Sequence, residues 1–275
     1  MPIFVLKNTA MKKYMYIIIL FTLIASCKMP YNTYSGKAGF ADNTVVAHRG
    51  AWKLNNLPQN SIAALKQAIA LGCAGSEFDV RMTADDSLVV NHDPHYNKMQ
   101  IDKSTYSQLS SVKLPNGETL PTLREYILAG LENNKKTLLV IEIKPSDISK
   151  DRARFIAGQV VNLVQGISAS KMVCYISFDF DILKKIKEKD PAAVVQYLEG
   201  DKSPAELKKE GINGADYHYS VFKKNPDWID IAKQQKILLN AWTVNEKTDL
   251  EWLLKNKFEY ITTNEPELLL GLTGK

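Results

Sequence analysis

Eight short apolar, β-branched runs, spaced by stretches with helical periodicity, constrain this chain more than any other feature. Strands are expected at Thr44 to His48, Ala74 to Asp79, Thr137 to Ile143, Met172 to Ser177, Ala193 to Leu198, Ala215 to His218, Ile237 to Thr243 and Tyr260 to Thr263. Between most of them lie helical patterns. From Ser61 to Leu71, Ile62, Leu65 and Ile69 share a face and Gly72 stops the turn; from Phe180 to Lys189, Ile182, Leu183 and Ile186 do the same work. Strand and helix in alternation favour a parallel sheet, and eight repeats favour closure, so the expected fold class is α/β, a (β/α)8 TIM barrel.

One run breaks the rhythm. Leu88-Val89-Val90-Asn91-His92 follows the second strand after too few residues for a parallel crossover, so it must return antiparallel, as a hairpin extension turning near Ala84-Asp85-Asp86. Counting back from that turn puts His92 beside Phe78, level with Glu77 and Asp79. Residues 94 to about 120 then form a small insertion, with a short helix expected within Asp102 to Val112 and a turn at Pro115-Asn116-Gly117. A loop of that length at a barrel rim shapes access to the site.

At 275 residues and 45% hydrophobic content, the chain suits one domain, expected over 43–270. The first part reads differently. Lys12 and Lys13 precede the apolar stretch Tyr14 to Ile24, which is too short to span a bilayer comfortably and ends at Ile24-Ala25-Ser26-Cys27. Residues 1–26 are therefore expected to be a secretory signal. The small residues before Cys27 resemble a bacterial lipobox, which makes Cys27 the expected lipidation site and the protein exported and anchored to a bacterial membrane. Residues 27–42 are polar and turn-rich, as a tether would be.

The net charge of +5 falls to +2 when Lys7, Lys12 and Lys13 leave with the signal, 35 bases becoming 32 against 30 acids. Such a balance, without a basic run interleaved with aromatics, argues against nucleic acid as a partner. Cys73 and Cys174 sit in apolar company and are expected as buried free thiols rather than a disulfide.

The chemistry concentrates where strands end. Positions two apart on a strand share a face, so Glu77 pairs with Asp79 and Glu142 with Lys144. If both pairs face the barrel axis, three carboxylates converge, an arrangement tolerable only when they are protonated, paired or holding a cation. All-oxygen ligation points to one divalent metal, Mg2+ or Ca2+. The plainer alternative is a salt-bridge network with Arg49, Arg81 and Lys144. His48 and His92 are the candidate acid/base pair, Arg49 and Lys144 the candidate phosphate contacts, and Trp242 an apolar wall for the substrate or simply a core residue. His95 and His218 lack companion motifs and are expected at the surface or behind the site.

Several segments together resemble the glycerophosphodiester phosphodiesterase family. They are His48-Arg49-Gly50, Pro58-Gln59-Asn60-Ser61, Glu77-Phe78-Asp79-Val80, Leu88-Val89-Val90-Asn91-His92-Asp93, Leu114-Pro115-Asn116-Gly117, Pro121-Thr122-Leu123, Ile141-Glu142-Ile143-Lys144 and Trp242-Thr243-Val244-Asn245. The resemblance runs from about Thr44 to Pro266 and implies a barrel hydrolase that splits glycerophosphodiesters into glycerol 3-phosphate and an alcohol. It further implies His48 and His92 as acid and base and Glu77, Asp79 and Glu142 as metal ligands; in some relatives the second histidine also approaches the metal. Two departures stand out. The chain has Pro58-Gln59-Asn60-Ser61 where the family usually carries Pro-Glu-Asn-Thr, and Thr263-Asn264-Glu265-Pro266 where it often carries Thr-Asp-x-Pro.

Two other functions fit parts of the same pattern. One is phospholipase C/D-like cleavage of phosphoinositol or lysophospholipid head groups; the other is a non-catalytic surface lipoprotein that captures glycerophosphodiesters. Mere binding needs cations more than an acid/base pair, which favours the enzyme.

Overall fold

In the computed structural model, which describes Met1 and residues 40–274, the apolar runs pair as the alternation requires. The expected signal, Cys27 and the expected tether as far as residue 39 lie outside the described residues, Met1 apart. The first half runs β1 (Val45–Ala47), α1 (Ile62–Ala70), β2 (Gly75–Met82), β3 (Leu88–Val90), β4 (His95–Tyr96), β5 (Met99–Gln100), α2 (Tyr106–Ser110), α3 (Leu123–Leu131), β6 (Leu138–Ile143) and α4 (Lys150–Gly166). The second half continues β7 (Val173–Ser177), α5 (Phe180–Lys189), β8 (Val195–Tyr197), α6 (Pro204–Lys209), β9 (Gly214–His218), α7 (Tyr219–Lys224), α8 (Asp227–Gln235), β10 (Leu238–Trp242), α9 (Lys247–Lys255), β11 (Tyr260–Thr263) and α10 (Pro266–Leu272).

Strands β1, β2, β6, β7, β8, β9, β10 and β11 pair in parallel in that order, and β1 closes the circle. Val46 lies opposite Gly75 on one side of it and Val45 opposite Ile261 on the other. Alternation along each strand separates two cores. Val45, Phe78, Ile141, Tyr175, Tyr217 and Leu239 face outward beneath the helices. Val46, Val140, Cys174, Ile176, Leu198 and Leu238 fill the lumen. Cys73 and Cys174 are both buried and free, as expected.

The expected hairpin is present. Val80 opposes Val90 and Met82 opposes Leu88 in an antiparallel ladder, closed by the Thr83 amide donating to Ser87 O at 2.9 Å. The amide of Asn91 then donates to Asp79 O at 3.0 Å, which carries the register on toward His92.

The insertion builds a small core of its own from Val89, Tyr96, Ile101, Leu109 and Leu120. Its expected short helix is α2, which Thr105 starts with a reciprocal capping box to Gln108, after a 3-10 turn at Ile101–Lys103. The Pro115-Asn116-Gly117 turn brings Glu118 back against α1, where its carboxylate accepts from the amides of Ile62 at 2.8 Å and Ala63 at 3.0 Å. Helix α1 has no acidic residue in its own first turn, so the insertion supplies the negative charge that its N-terminus favours.

Candidate active site

The loop after β1 sets the geometry. Arg49 and Gly50 both adopt left-handed backbone, with φ of 58° and 82°. A Cβ on Gly50 would lie 2.6 Å from the backbone carbon of Ala64, so only glycine lets this loop rest on α1. The sharp turn aims the Arg49 amide inward, where it donates to Glu77 Oε2 at 2.9 Å. The Arg49 side chain curls over the same cluster. Its Nε stands 3.5 Å from Asp79 Oδ2 and its Nη1 donates to Gln59 Oε1 at 2.7 Å. Because Gln59 is an amide, it orients this guanidinium without cancelling its charge.

Glu77, Asp79 and Glu142 are all buried, and each offers an oxygen within 4.8 Å of the others. Lys144 reaches between two of them, at 2.7 Å from Asp79 Oδ1 and 2.5 Å from Glu142 Oε1. Asn60 holds the outer oxygen of Asp79, its Nδ2 donating at 2.8 Å. Glu77 Oε1 has no hydrogen-bond partner among the described residues. Part of the salt-bridge network considered as the alternative therefore exists, through Lys144 and Arg49, but it leaves one buried carboxylate oxygen unanswered. An orphaned oxygen beside two clustered carboxylates fits a hard divalent cation held by oxygen ligands.

The electrostatics follow. Burial, then the charges of Asp79 and Glu142, push the Glu77 carboxyl well above its ordinary range. Burial and Asp79 raise Glu142 to about 7. Asp79 also suffers from burial, yet Lys144 and Arg49 bring it below its usual value. Lys144 is raised, since its two carboxylate partners outweigh its own burial.

The two histidines differ. His48 Nδ1 lies 2.8 Å from Asn264 Oδ1, and an amide oxygen only accepts, so Nδ1 carries the proton and Nε2 keeps its lone pair. That Nε2 stands 3.9 Å from Glu77 Oε2. Burial, reinforced by Arg49, lowers His48 to about 4. His92 is more open, its side chain 39% exposed, with Nδ1 2.7 Å from Asp93 Oδ1. Arg81 Nε donates to His92 O at 2.8 Å and fixes the hairpin end.

His48, Arg49, Glu77, His92, Glu142 and Lys144 line one cavity of about 120 Å³, closed on the far wall by Ile176, Phe178, Leu198 and Trp242. Trp242 meets Phe178 edge-on at 5.4 Å between ring centroids, while its Nε1 donates to Asp216 O at 2.9 Å. Of the residues singled out in the described part of the chain, Asp79 alone sits behind the wall rather than in it. His95 is exposed, and His218 packs behind Trp242 at 5.4 Å between ring centroids. Sequence reasoning gave no role to Asn60, Asn264 or Asp216. The first two lie in quoted motifs but act through distant partners. Asp216 is visible by strand parity with Gly214 on β9, whose Cβ position also faces the lumen against Gln196.

The glycerophosphoryl diester phosphodiesterase family matches residues 48–268. The crystal structure of a glycerophosphodiester phosphodiesterase from Parabacteroides distasonis is 38% identical, with a TM-score of 0.82 over 86% of this chain and 98% of that one. A glycerophosphodiester phosphodiesterase from Caldanaerobacter subterraneus subsp. tengcongensis is 29% identical over 252 residues, covering 84% of this chain and 98% of its own. An Oleispira antarctica phosphodiesterase, solved in complex with the product sn-glycerol-3-phosphate, shares the fold at a TM-score of 0.69 with 20% identity, over 84% of this chain and 97% of that one.

The raised carboxyls fix the sign of one experiment. A group at about 7 in the fold and 4.5 when free keeps a proton that unfolding releases, so Glu142 contributes stability to the cation-free protein that is lost as pH rises from about 4.5 to 7, while His48, lowered to about 4, contributes in the opposite sense as pH rises from about 4 to 6.5. Mg2+ or Ca2+ must displace that proton. Calorimetric titration at pH 6 in buffers of different ionisation enthalpy should register proton release, and affinity should rise as pH passes 7. Cation binding with no proton released and no pH dependence would contradict this electrostatic description.

Proposed function

Since the chain belongs to the glycerophosphoryl diester phosphodiesterase family and is a phosphoric diester hydrolase, we propose that it hydrolyses glycerophosphodiesters to glycerol 3-phosphate and an alcohol. The observation that carries the reading is the oxygen cluster of Glu77, Asp79 and Glu142, of which Glu77 and Glu142 line the same cavity as two histidines and two cations. The product bound to the Oleispira antarctica relative supports the substrate class. Glu77, Asp79 and Glu142 would hold Mg2+ or Ca2+. A dication held there polarises the phosphoryl group as a Lewis acid.

The remaining work belongs to this chain's own side chains. Arg49 and Lys144 face the cavity and offset the charge that develops on phosphate oxygens in the transition state. His48, half-buried and neutral with its Nε2 lone pair available, accepts the proton of the attacking hydroxyl, whether water or a glyceryl hydroxyl. His92 is half-exposed and paired with Asp93, so it is the more easily protonated of the two and serves as the acid for the departing alkoxide. Trp242 and Phe178 shelter the carbon skeleton.

The split roles separate by leaving group. On a glycerophosphodiester, His48→Ala and His92→Ala should each cost on the order of a hundred- to ten-thousandfold in kcat. On a p-nitrophenyl phosphodiester, whose leaving group departs without a proton, only His48→Ala should keep that loss. Wild-type turnover in both variants on both substrates would end the two-histidine reading, and the opposite pattern would exchange the roles. Lys144→Ala should slow the enzyme by roughly ten- to a hundredfold, the worth of one charge-assisted contact.

We further propose that the protein is exported and held at a bacterial membrane by lipid on Cys27. Lys12, Lys13, the apolar stretch Tyr14 to Ile24 and the small residues preceding Cys27 support this. Labelled fatty acid should be incorporated in the wild type and not in Cys27→Ser; equal labelling, or none in either, would refute the anchor.

A further inference from the structure

Asp216 is the one charged side chain lining the cavity that the proposed chemistry leaves unused. It projects from β9 into the lumen and is 1% exposed. Neither of its oxygens makes a well-formed hydrogen bond among the described residues, although the Asn240 side chain approaches closely enough to favour its charged form. Asp79, equally buried, is answered by Asn60, Lys144 and Arg49. The contrast is chemical, because a buried carboxyl so thinly partnered is costly to keep and persists where something else completes it.

Its surroundings narrow what that something is. The Trp242 indole donates to the Asp216 backbone carbonyl, which fixes the position of the residue while leaving the carboxyl unengaged. Phe178, Leu198 and Trp242 are its companions in the cavity wall, so a ligand group here has an apolar carbon face. Glu142 acts on Asp216 with a like charge, and no Lys, Arg or His among the described residues forms an ion pair with it. An ionised Asp216 would be a fourth negative charge beside the triad, which disfavours a role as counter-ion to an ammonium head group. A carboxyl whose oxygens are at most partly answered, by Asn240, and which stands against a carbon-lined wall suits two neutral hydroxyls on adjacent carbons.

Resting on the phosphodiesterase reading above, we propose that Asp216 is a specificity-determining residue whose carboxyl hydrogen-bonds the vicinal hydroxyls of the substrate's glyceryl group while Trp242 and Phe178 cover its carbon chain. The consequence is selection for a diol-bearing phosphoester over one of the same length without hydroxyls.

Binding tests this without turnover. Glycerol 3-phosphate and propyl phosphate, which differ only in the two hydroxyls, are titrated calorimetrically into the Mg2+-loaded full chain, as wild type, Asp216→Ala and the isosteric Asp216→Asn. The wild type should prefer glycerol 3-phosphate by about ten- to a hundredfold. Asp216→Ala should reduce that preference to about twofold or less while binding propyl phosphate as the wild type does, and Asp216→Asn should fall between them. An absent preference in the wild type, a preference unchanged in both variants, or parallel loss of both ligands in Asp216→Asn would overturn the proposal. So would a loss confined to phosphoethanolamine measured against ethyl phosphate, which would assign the carboxyl to an ammonium. Because binding is scored separately from hydrolysis, a protein that prefers glycerol 3-phosphate but cleaves no glycerophosphodiester would retain this assignment and refute the reaction.

Discussion

Mutual repulsion among Glu77, Asp79 and Glu142 is the constraint around which the mouth of the barrel is arranged. At the 4.8 Å limit that encloses their oxygens, two ionised carboxylates repel by about 3 kcal/mol at an effective dielectric constant of about 20. Lys144 and Arg49 supply two compensating charges, and both are spent largely on Asp79 and Glu142. The third charge has no cation among the described residues, and Glu77 Oε1 has no hydrogen-bond partner there. A proton or a dication must make up the difference. The cost of assembling the cluster is thus inseparable from its capacity to bind a metal.

The fold makes such an assembly possible by fixing each contributor from a different direction. Strand parity on β2 and β6 turns Glu77, Glu142 and Lys144 to one lumen, and parallel pairing sets Asp79 level with Glu142. The β2–β3 hairpin returns His92 to the same rim, where Arg81 clamps its carbonyl. The left-handed turn at Arg49 and Gly50 presents a backbone amide to Glu77. Beyond the rim, Glu118 ties the insertion to the start of α1, the helix on which Gly50 rests. Site and scaffold therefore share contacts, and disturbing one registers in the other.

Much of this was legible in the sequence, because it rests on local periodicity. Alternation located all eight barrel strands to within a few residues, and the short spacing before Leu88 required the antiparallel return. The two-residue rule placed the carboxylates on one face. What escaped is non-local. Asn264 orients His48 across 216 residues of sequence, and Asn60 holds Asp79 from the opposite end of α1. No periodicity encodes such contacts. The face of α1 also shifted: Ala64, Leu65 and Ala68 are its buried centre, while Ile62 and Ile69 pack at its margins, since small residues let the Gly50 loop approach closely. Asp216 was overlooked for a different reason. A single acid in a short strand carries no motif, and only the sparse partnering around it distinguishes it.

If the three carboxylates act as one cation site that activates a phosphodiester, chelation must silence the enzyme. Turnover of a small panel of glycerophosphodiesters should fall to background when the enzyme is stripped with a chelator, and return on adding back Mg2+ or Ca2+ in the wild type but not in Glu142→Gln. Full turnover by the stripped enzyme, or wild-type restoration in Glu142→Gln, would contradict it.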